Sequence, residues 1–448
     1  MMENKCYKAT IHESFFCSID RNMLGSTIYY IFYLNDNFNI EIYKKAVTYV
    51  VKAVPILSCK FSEGYWRDKW QQIKEFNVSQ IFKKIHIQSE VADKEAFNEL
   101  AFSEFIKLKD KHIDIKNESP IKITVFYNSQ SKNKMITIGM HHSVADVRGW
   151  LEIICLIGQC YNLILEKKLN NQPALVSKIT KPIFHISIKD NINMLRGTIK
   201  NLFETNRISE MDPLIKKEKI KTVNVDCNTM SVEKINLGET EVKKLKAYYK
   251  GYGFTINDIV LHLLLKFNKK YNSALEKSNK YIETGMRIDI RKYIRTNKKF
   301  IGNYSFLQYV WIKDADVEDI EKVNEKLKRI KRYPMGLSAF YKFYLFLILP
   351  TEIMRKEVLK RKGEVVDELY LGMTSTNIGK MDKYLEPYKK FMEDAFVIPC
   401  GFAEGFPLMC ITGYKNKITI NFIRYNDKDG LTRRVKYDFK KILDEIIL

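Results

Sequence analysis

The sequence lacks the features that mark several classes of protein. Its 448 residues include only 10 Pro, 19 Gly and 8 Cys, while 46% are hydrophobic and 29% are charged, so intrinsic disorder, a collagen-like chain and a disulfide scaffold are excluded. The cysteines form no C-x-x-C pair and no Cys/His cluster with zinc-ligand spacing. We therefore expect reduced thiols and no metal site. No Gly-rich phosphate loop or dinucleotide-binding motif is present.

Long apolar runs are also missing. The most apolar stretch, Phe343–Leu349, ends at Pro350, whereas a membrane-spanning helix needs about 18 or more apolar residues. The first residues, Met1–Lys8, lack the hydrophobic core and cleavage pattern of a secretory signal. We therefore expect a cytoplasmic protein without a transmembrane segment.

Positive charge is in excess. Lys+Arg exceed Asp+Glu by 75 − 53 = 22, which favours anionic partners such as phosphates, nucleic acid or an acidic protein surface. A basic nucleic-acid-binding protein is one hypothesis, and it predicts strongly salt-dependent binding. No zinc finger or RNA-recognition signature supports it, and basic runs such as Lys326–Arg332 are typical of solvated helix faces. We expect no nucleic-acid partner.

The apolar pattern divides the chain into two halves of comparable size. At about 150 residues per domain, the length predicts two or three folded units. Residues 1–165 alternate between strand-like and helix-like patterns, residues 166–224 have the weak pattern of a crossover or linker, and residues 225–448 form the second half. Both halves contain strands and helices, so we predict a mixed α/β fold.

Periodicity predicts several elements of the first half. Ser26–Tyr33 is typical of a strand, and Ile121–Tyr127 with Met135–Met140 predicts a hairpin around a polar turn. Ile40–Ala53 predicts a helix. We expect its buried face to contain Ile42, Ala46, Tyr49, Val50 and Ala53.

The second half has equally clear local signals. Thr255–Asp258 is typical of a capping box at the start of a buried helix. Tyr281–Arg291 alternates as a strand, with apolar residues on one face and Arg287 among the charged residues on the other. A final helix is expected from about Phe439.

Adjacent histidines follow the predicted hairpin, and a carboxylate lies four residues beyond the second. They are His141, His142 and Asp146. Neighbouring side chains on an extended segment point to opposite faces, so we expect one imidazole to react and the other to pack. An imidazole can take a proton from a hydroxyl, amine or thiol, an effect worth about 10²–10⁴-fold in rate.

The segment His141–Asp146 resembles the HHxxxD motif of the thioester-dependent acyltransferases. These include chloramphenicol acetyltransferase, alcohol acetyltransferases, plant BAHD acyltransferases and the condensation domains of nonribosomal peptide synthesis. Further segments are similar to those of the family and occur in the same order, namely the helix Thr255–Phe267, the strand Met286–Arg291, the Gly-Asn within Phe300–Tyr304, and Gly372–Gly379 with its Ser-x-Asn.

The resemblance implies two chloramphenicol-acetyltransferase-like halves, each a mixed sheet flanked by helices, with the active site in a tunnel between them. It implies that His142 is the general base and that Asp146 is structural, paired with an arginine. The expected partner is Arg291, and Arg287 on the same strand is the alternative. A bidentate Arg–carboxylate pair suits such a role.

Other residues are assigned around this motif. Ser375 and Asn377 are expected to line the site and to supply a donor to the tetrahedral oxyanion. His141 and Gly149 belong to the motif region, and Trp150 either packs the helix that follows or borders the pocket. Two departures from the family pattern stand out, because Val147 follows Asp146 where many members have Gly, and the BAHD motif Asp-Phe-Gly-Trp-Gly is absent.

The resemblance also implies the substrates. The donor is acyl-CoA or a phosphopantetheine-linked acyl carrier protein thioester, the acceptor is a small molecule with a hydroxyl or amine, and no cofactor is bound. One alternative is condensation-type amide formation on carrier-tethered substrates. Another is a non-catalytic member that only binds a partner.

Overall fold

A computed structural model gives the structure of the protein. It describes residues 5–20, 22, 24–88, 93–128, 132–168, 177–178, 192, 196, 211–215, 225–226, 229–294, 300–332, 337, 349–360 and 370–447. Most of the predicted linker, 166–224, and of the apolar stretch 343–349 lies outside the described residues.

The described residues form a mixed α/β fold, as predicted. The strands are β1 Cys6–Lys8, β2 Leu24–Gly25, β3 Thr27–Leu34, β4 Cys59–Ser62, β5 Lys69–Gln72, β6 Phe82–His86, β7 Ile121–Tyr127, β8 Lys134–His141, β9 Ser177–Lys178, β10 Ser231–Leu237, β11 Tyr281–Asp289, β12 Phe300–Ile301, β13 Ser305–Lys313, β14 Thr374–Lys380, β15 Met392–Ile398, β16 Gly401–Phe402, β17 Leu408–Tyr414 and β18 Lys417–Arg424. The helices are α1 Ile11–Ile19, α2 Ile40–Ala53, α3 Lys94–Lys107, α4 Val147–Leu165, α5 Glu239–Tyr248, α6 Ile256–Asn272, α7 Ile320–Lys331, α8 Thr351–Lys360, α9 Asp382–Leu385 and α10 Leu431–Ile447.

The first large sheet has the strand order β15-β3-β8-β7-β6. All eight residues of β3 are buried, because both faces of this sheet are covered. Ile28, Tyr30 and Phe32 belong to the core that α2 and α4 complete, while Tyr29 and Ile31 belong to the core on the opposite face, which includes residues of α3. The alternation of side chains along a strand accounts for this division.

The second large sheet has the order β13-β11-β14-β17-β18-β16-β2, and β10 also pairs with β18. The helix α6 packs on β11 and α10 packs on α6. Thr255 caps α6, and its reciprocal hydrogen bonds with Asp258 form the predicted capping box.

Each large sheet contains a strand from the other half of the chain. β15, at Met392–Ile398, pairs antiparallel with β3, and β2, at Leu24–Gly25, pairs with β16 at an end of the second sheet. The two sheets are therefore joined by pairing as well as by packing.

Two sequence predictions were wrong in detail. The helix Ile40–Ala53 has the predicted bounds, but its buried residues are Tyr43, Ala46, Val47, Val50 and Val51, whereas Tyr49 is 48% exposed. The final helix begins at Leu431, eight residues before the predicted start. Leu431, Val435 and Phe439 are buried at helical spacing. The apolar face therefore begins at the start of the helix, where the basic residues between these positions hide the apolar pattern in the sequence.

Within the described ranges, no helix is both long enough and apolar enough to cross a membrane.

Candidate active site

The two motif histidines occupy different environments at the end of β8. His141 pairs with Thr27 of β3 and is fully buried. The backbone amide of His142 donates to the carbonyl of Ser26 at 2.7 Å, and the His142 side chain lines a cavity of about 290 Å³. One imidazole therefore faces a cavity and the other packs in the interior.

Asn303 determines which nitrogen of His142 carries the proton. The Asn303 Nδ2 donates to the carbonyls of His142 and Ser143 at 2.8 and 3.0 Å, so Asn303 Oδ1 must be the atom that lies 2.9 Å from His142 Nδ1. A carbonyl oxygen only accepts hydrogen bonds. His142 Nδ1 is therefore the protonated nitrogen, and Nε2 keeps the free lone pair that a base needs.

Packing holds the ring and keeps it neutral. Phe16 of α1 stacks on His142 with a centroid distance of 4.1 Å and an interplanar angle of 11°. The pKa of His142 is lowered to about 4. Burial is the main cause and the positive charge of Arg287 contributes, while Asp146 and Asn303 oppose the shift. The imidazole is therefore uncharged at neutral pH, as a proton acceptor must be.

Asp146 is bound on all sides by donors. Its carboxylate accepts two hydrogen bonds of 2.8 Å from the guanidinium of Arg291, one of 2.9 Å from the Gly149 amide and one of 2.8 Å from the Tyr304 amide. Burial alone would raise the pKa of Asp146, but Arg291 and these amides hold it below its usual value. The ion pair expected between Asp146 and Arg291 is present, and Arg287 takes no part in it.

The same carboxylate starts α4 and brings it against Gly302. Asp146 caps the helix, which begins at Val147. A Cβ on Gly149 would lie 2.8 Å from the Ala145 Cβ and 3.2 Å from the backbone N and O of Gly302. Gly149 thus permits the close approach of the helix to the segment between β12 and β13, which carries Asn303.

The remaining predicted residues lie on or behind the cavity wall. Arg287 and Asn377 line the cavity, as does Thr376, while Ser375 is fully buried and is not among the lining residues. Trp150 is also fully buried, and its Nε1 donates to the carbonyl of His141 at 3.2 Å. Trp150 therefore packs behind the motif.

A largely buried carboxylate lies next to His141. The Ser143 amide donates to His141 Nδ1 at 3.2 Å, so Nε2 carries the proton. Nε2 lies 3.4 Å from Asp20 Oδ2, close enough for an electrostatic attraction, although the geometry is not that of a hydrogen bond. His112 Nε2 lies 3.4 Å from the same carboxylate. Burial alone would raise the pKa of Asp20, but the two imidazoles hold it well below its ordinary value.

A second cavity of about 410 Å³ adjoins the first. Both are lined by Arg148, Asn257, Asn377 and Ile378, so these residues stand at the junction between them. The second cavity has a basic lining, to which Lys243, Lys246, Lys380 and Lys417 contribute. Within the described ranges, no group of three or more His, Cys, Asp or Glu side chains is arranged to hold a metal ion.

Sequence reasoning did not assign three residues that the structure brings to the motif. Asn303 was visible as part of the Gly-Asn segment, but nothing local indicates that it contacts His142. Phe16 and Asp20 lie more than 100 residues before the motif, in or just after α1. No sequence signal links them to it.

Comparison with known proteins identifies the fold. No family model and no curated protein sequence matches the chain. Among solved structures, the first condensation domain of the CDA synthetase is similar with a TM-score of 0.66 and 10% identity, covering 100% of this chain and 96% of that one. TRI3 trichothecene 15-O-acetyltransferase from Fusarium sporotrichioides gives 0.65 and 11%, with 98% and 95% covered. The epimerization domain from the third module of tyrocidine synthetase B gives 0.61 and 12%, with 99% and 97% covered.

The chain therefore has the fold that condensation domains share with this acetyltransferase, as the motif resemblance implied. Because these identities are low, the likeness is one of fold.

Proposed function

We propose that the chain is an acyltransferase that moves an acyl group from a thioester to a hydroxyl or amine. The observation that carries the proposal is the state of His142, a neutral imidazole whose Nδ1 is engaged by Asn303 and whose Nε2 is free to face a cavity. A positioned base of this kind is what deprotonation of an acceptor requires.

In the proposed reaction His142 Nε2 takes the proton from the acceptor hydroxyl or amine as its oxygen or nitrogen attacks the thioester carbonyl. The tetrahedral intermediate then collapses, the carbon–sulfur bond breaks, and the thiolate leaves with the proton from His142. The fold is shared with an acetyltransferase, which favours this reaction class.

The oxyanion would be stabilised from the β14 side of the cavity. Thr376 lines the cavity and its hydroxyl has no hydrogen-bond partner among the described residues, whereas the Asn377 amide already donates to Asn257. We assign the donor to Thr376, within the Ser375–Asn377 segment that the motif indicated. Removing one such donor typically lowers the rate by roughly 10²–10³-fold.

In the proposed reaction the thioester substrate enters through the second cavity. Its lysines suit the phosphates of CoA or of a phosphopantetheine arm, and it adjoins the cavity that His142 lines. The similarity to condensation domains supports a second candidate, amide formation on carrier-tethered substrates.

The test is mass-spectrometric detection of free CoA and acylated product from short- to long-chain acyl-CoAs with pooled alcohols and amines. Wild type should release CoA in an acceptor-dependent manner, and His142→Ala should reduce this by about 10²-fold or more. His86→Ala is the matched control, since His86 is exposed on β6. Near-wild-type turnover in a folded His142→Ala protein would overturn the proposal.

A second donor arm separates the two candidates. Turnover with acyl groups loaded on a carrier protein, and none with free acyl-CoA, would select the condensation-type reaction.

A further inference from the structure

Arg287 is a cation in the wall of the His142 cavity, and the part of the chain that the structure describes provides no counter-ion for it. It lies on β11 between Met286 and Ile288, which are both buried in the core under α6, so its side chain extends towards the cavity that it lines. Its Nη1 is buried and has no hydrogen-bond partner within the described segments. Among the described residues, no carboxylate forms an ion pair with it.

The acidic groups of the cavity are occupied by other cations. Asp146 is held by Arg291 through two hydrogen bonds of 2.8 Å. Asp289, two residues along β11, accepts from Arg148 at 2.7 Å and from Arg291 at 3.3 Å. These two are the carboxylates in the cavity lining, so neither is available to neutralise Arg287.

The nearby thiol does not neutralise it either. Cys400 lines the same cavity, and burial raises its pKa to about 11 even though the charge of Arg287 opposes that rise. The thiol is therefore uncharged at neutral pH.

A cation at this position is unfavourable for both stability and basicity. Arg287 is half-buried, and its buried, unpartnered Nη1 carries a desolvation penalty. The charge of Arg287 also lowers the proton affinity of His142. Neutral acyl transfer by His142 would proceed better without it. The arginine is explained if an anion occupies the cavity during turnover.

We propose that Arg287 binds a carboxylate carried by the substrate, so that this enzyme acts on an anionic acceptor or transfers an anionic acyl group. The inference rests on the proposed function and narrows its substrate class. The planar guanidinium can bind both carboxylate oxygens at once. The carboxylate belongs either to the acceptor, as in a hydroxy acid or amino acid, or to the far end of a dicarboxylic acyl group.

The experiment measures binding by calorimetric titration in a His142→Ala background, which prevents turnover. The probes are matched pairs that differ by one charge, namely succinyl-CoA against butyryl-CoA, and short hydroxy acids and amino acids against their carboxamides. In one of the two kinds of pair, either the CoA thioesters or the acceptors, the anionic member should bind roughly 10- to 100-fold tighter than its neutral partner. This ratio corresponds to the free energy of a hydrogen bond to a charged group. Arg287→Gln should abolish this preference, and Arg287→Lys should retain part of it.

Lys313→Gln is the control, because it removes one positive charge from an exposed residue on the adjacent strand β13. It should leave the preference intact. A preference among the CoA pairs assigns the carboxylate to the acyl group, and one among the acceptor pairs assigns it to the acceptor. Equal binding of both members of every pair, or a preference that survives Arg287→Gln, would overturn the inference.

Turnover separates this inference from the proposed function. A charge preference in binding without acyl transfer by the wild type would leave Arg287 as an anion site and reject the acyltransferase. If Arg287→Gln lowers the turnover of anionic and neutral substrates by the same factor, the guanidinium serves the reacting carbonyl, and the carboxylate assignment fails.

Discussion

Three side chains around His142 determine its orientation and its affinity for a proton. Phe16 stacks on one face of the ring, Asn303 engages Nδ1, and the charge of Arg287 disfavours protonation. The first two restrict the ring to one plane and one tautomer. Burial is the main cause of the lowered pKa of His142, and the charge of Arg287 adds to it, so the ring stays neutral below the pH at which an ordinary histidine becomes charged.

The pH dependence of turnover should report this environment. Because the base must be neutral, kcat/KM falls as the pH drops through the pKa of His142. We expect this acid limb near pH 4 and not near the ordinary value of about 6.5. The measurement is the pH profile of kcat/KM for a neutral substrate, with circular dichroism confirming that the protein stays folded.

Two variants should move the limb in opposite directions. Arg287→Gln removes a positive charge and should raise the limb, whereas Asn303→Ala removes a hydrogen bond that favours the charged ring and should lower it. A purely structural role for either residue would change the rate without moving the limb. An acid limb near pH 6.5 in the wild type would contradict the assignment.

Asp20 is expected to stabilise the fold through His141. In Asp20→Asn the side-chain NH2 would face either the Ser26 amide, which donates to Asp20 Oδ1, or the imidazole N–H groups near Oδ2, leaving buried groups unsatisfied. We expect a loss of about 1–3 kcal/mol in the free energy of unfolding at neutral pH. Asp110→Asn, which affects an exposed ion pair with Lys83, should change it by about 1 kcal/mol or less.

The pH dependence of this loss has a definite sign. The pKa of Asp20 is lower in the folded protein than in the unfolded chain, so its contribution is fully present above the unfolded value of about 3.9 and decreases as the pH falls below it. Urea unfolding of wild type and variant at neutral and acid pH tests this. A difference that stays constant below pH 4 would show that Asp20 acts other than through its charge.

At the scale of elements, the contact of α4 with Gly302 sets the geometry of the motif. Gly149→Ala would insert a Cβ 2.8 Å from the Ala145 Cβ and 3.2 Å from backbone atoms of Gly302, so the helix must shift. We expect a loss of about 1–3 kcal/mol, the usual range for overpacking, together with reduced turnover, because Asn303 follows Gly302.

Gly251→Ala provides the matched control. Gly251 lies in the short helix Lys250–Tyr252, and a Cβ there would meet nothing within 4 Å. Its effect should be neutral or slightly stabilising. Equal melting temperatures for the two alanine variants would refute the close-contact explanation.

The elements also show what the sequence could predict. Periodicity gave the bounds of α2, but Ile42 and Tyr43 are both apolar, so two overlapping helical faces fit the pattern. The choice between them depends on α4, which packs along α2 and buries the face with Tyr43 and Val47. The local apolar pattern of a helix contains no information about which other element will pack against it.

The same limit applies to the site, where some residues could be predicted from the sequence and others could not. His142, Asp146 and Arg291 could be found because the first two lie four residues apart in one motif and the third follows a charged strand, which in the structure ends at Asp289. Phe16, Asp20 and the role of Asn303 could not, since they depend on which distant segments meet the motif. Thr376 lines the cavity wall while Ser375 is buried, and nothing in the Ser-x-Asn pattern indicates this.

At the scale of the whole molecule, the exchange of strands makes the two halves depend on each other. β3 forms hydrogen bonds with β15 along most of its length, and the Asn421 amide of β18 donates to the carbonyl of Val397 in β15 at 3.0 Å. Strand β15 therefore completes one sheet while it contacts the other. Without it, β3 would become a fully apolar edge strand with unpaired backbone groups.

The protein should therefore unfold in one cooperative transition despite a length that suggests two or three domains. Three of the four tryptophans, Trp66, Trp70 and Trp150, lie in residues 1–165, so fluorescence reports mainly on the first half and far-UV circular dichroism on the whole chain. In urea the two signals should coincide. Residues 1–165 expressed alone should aggregate, because the exposed β3 edge is apolar. Two separated transitions, with fluorescence changing at a different urea concentration, would show instead that the packing within each half outweighs the strand that joins them.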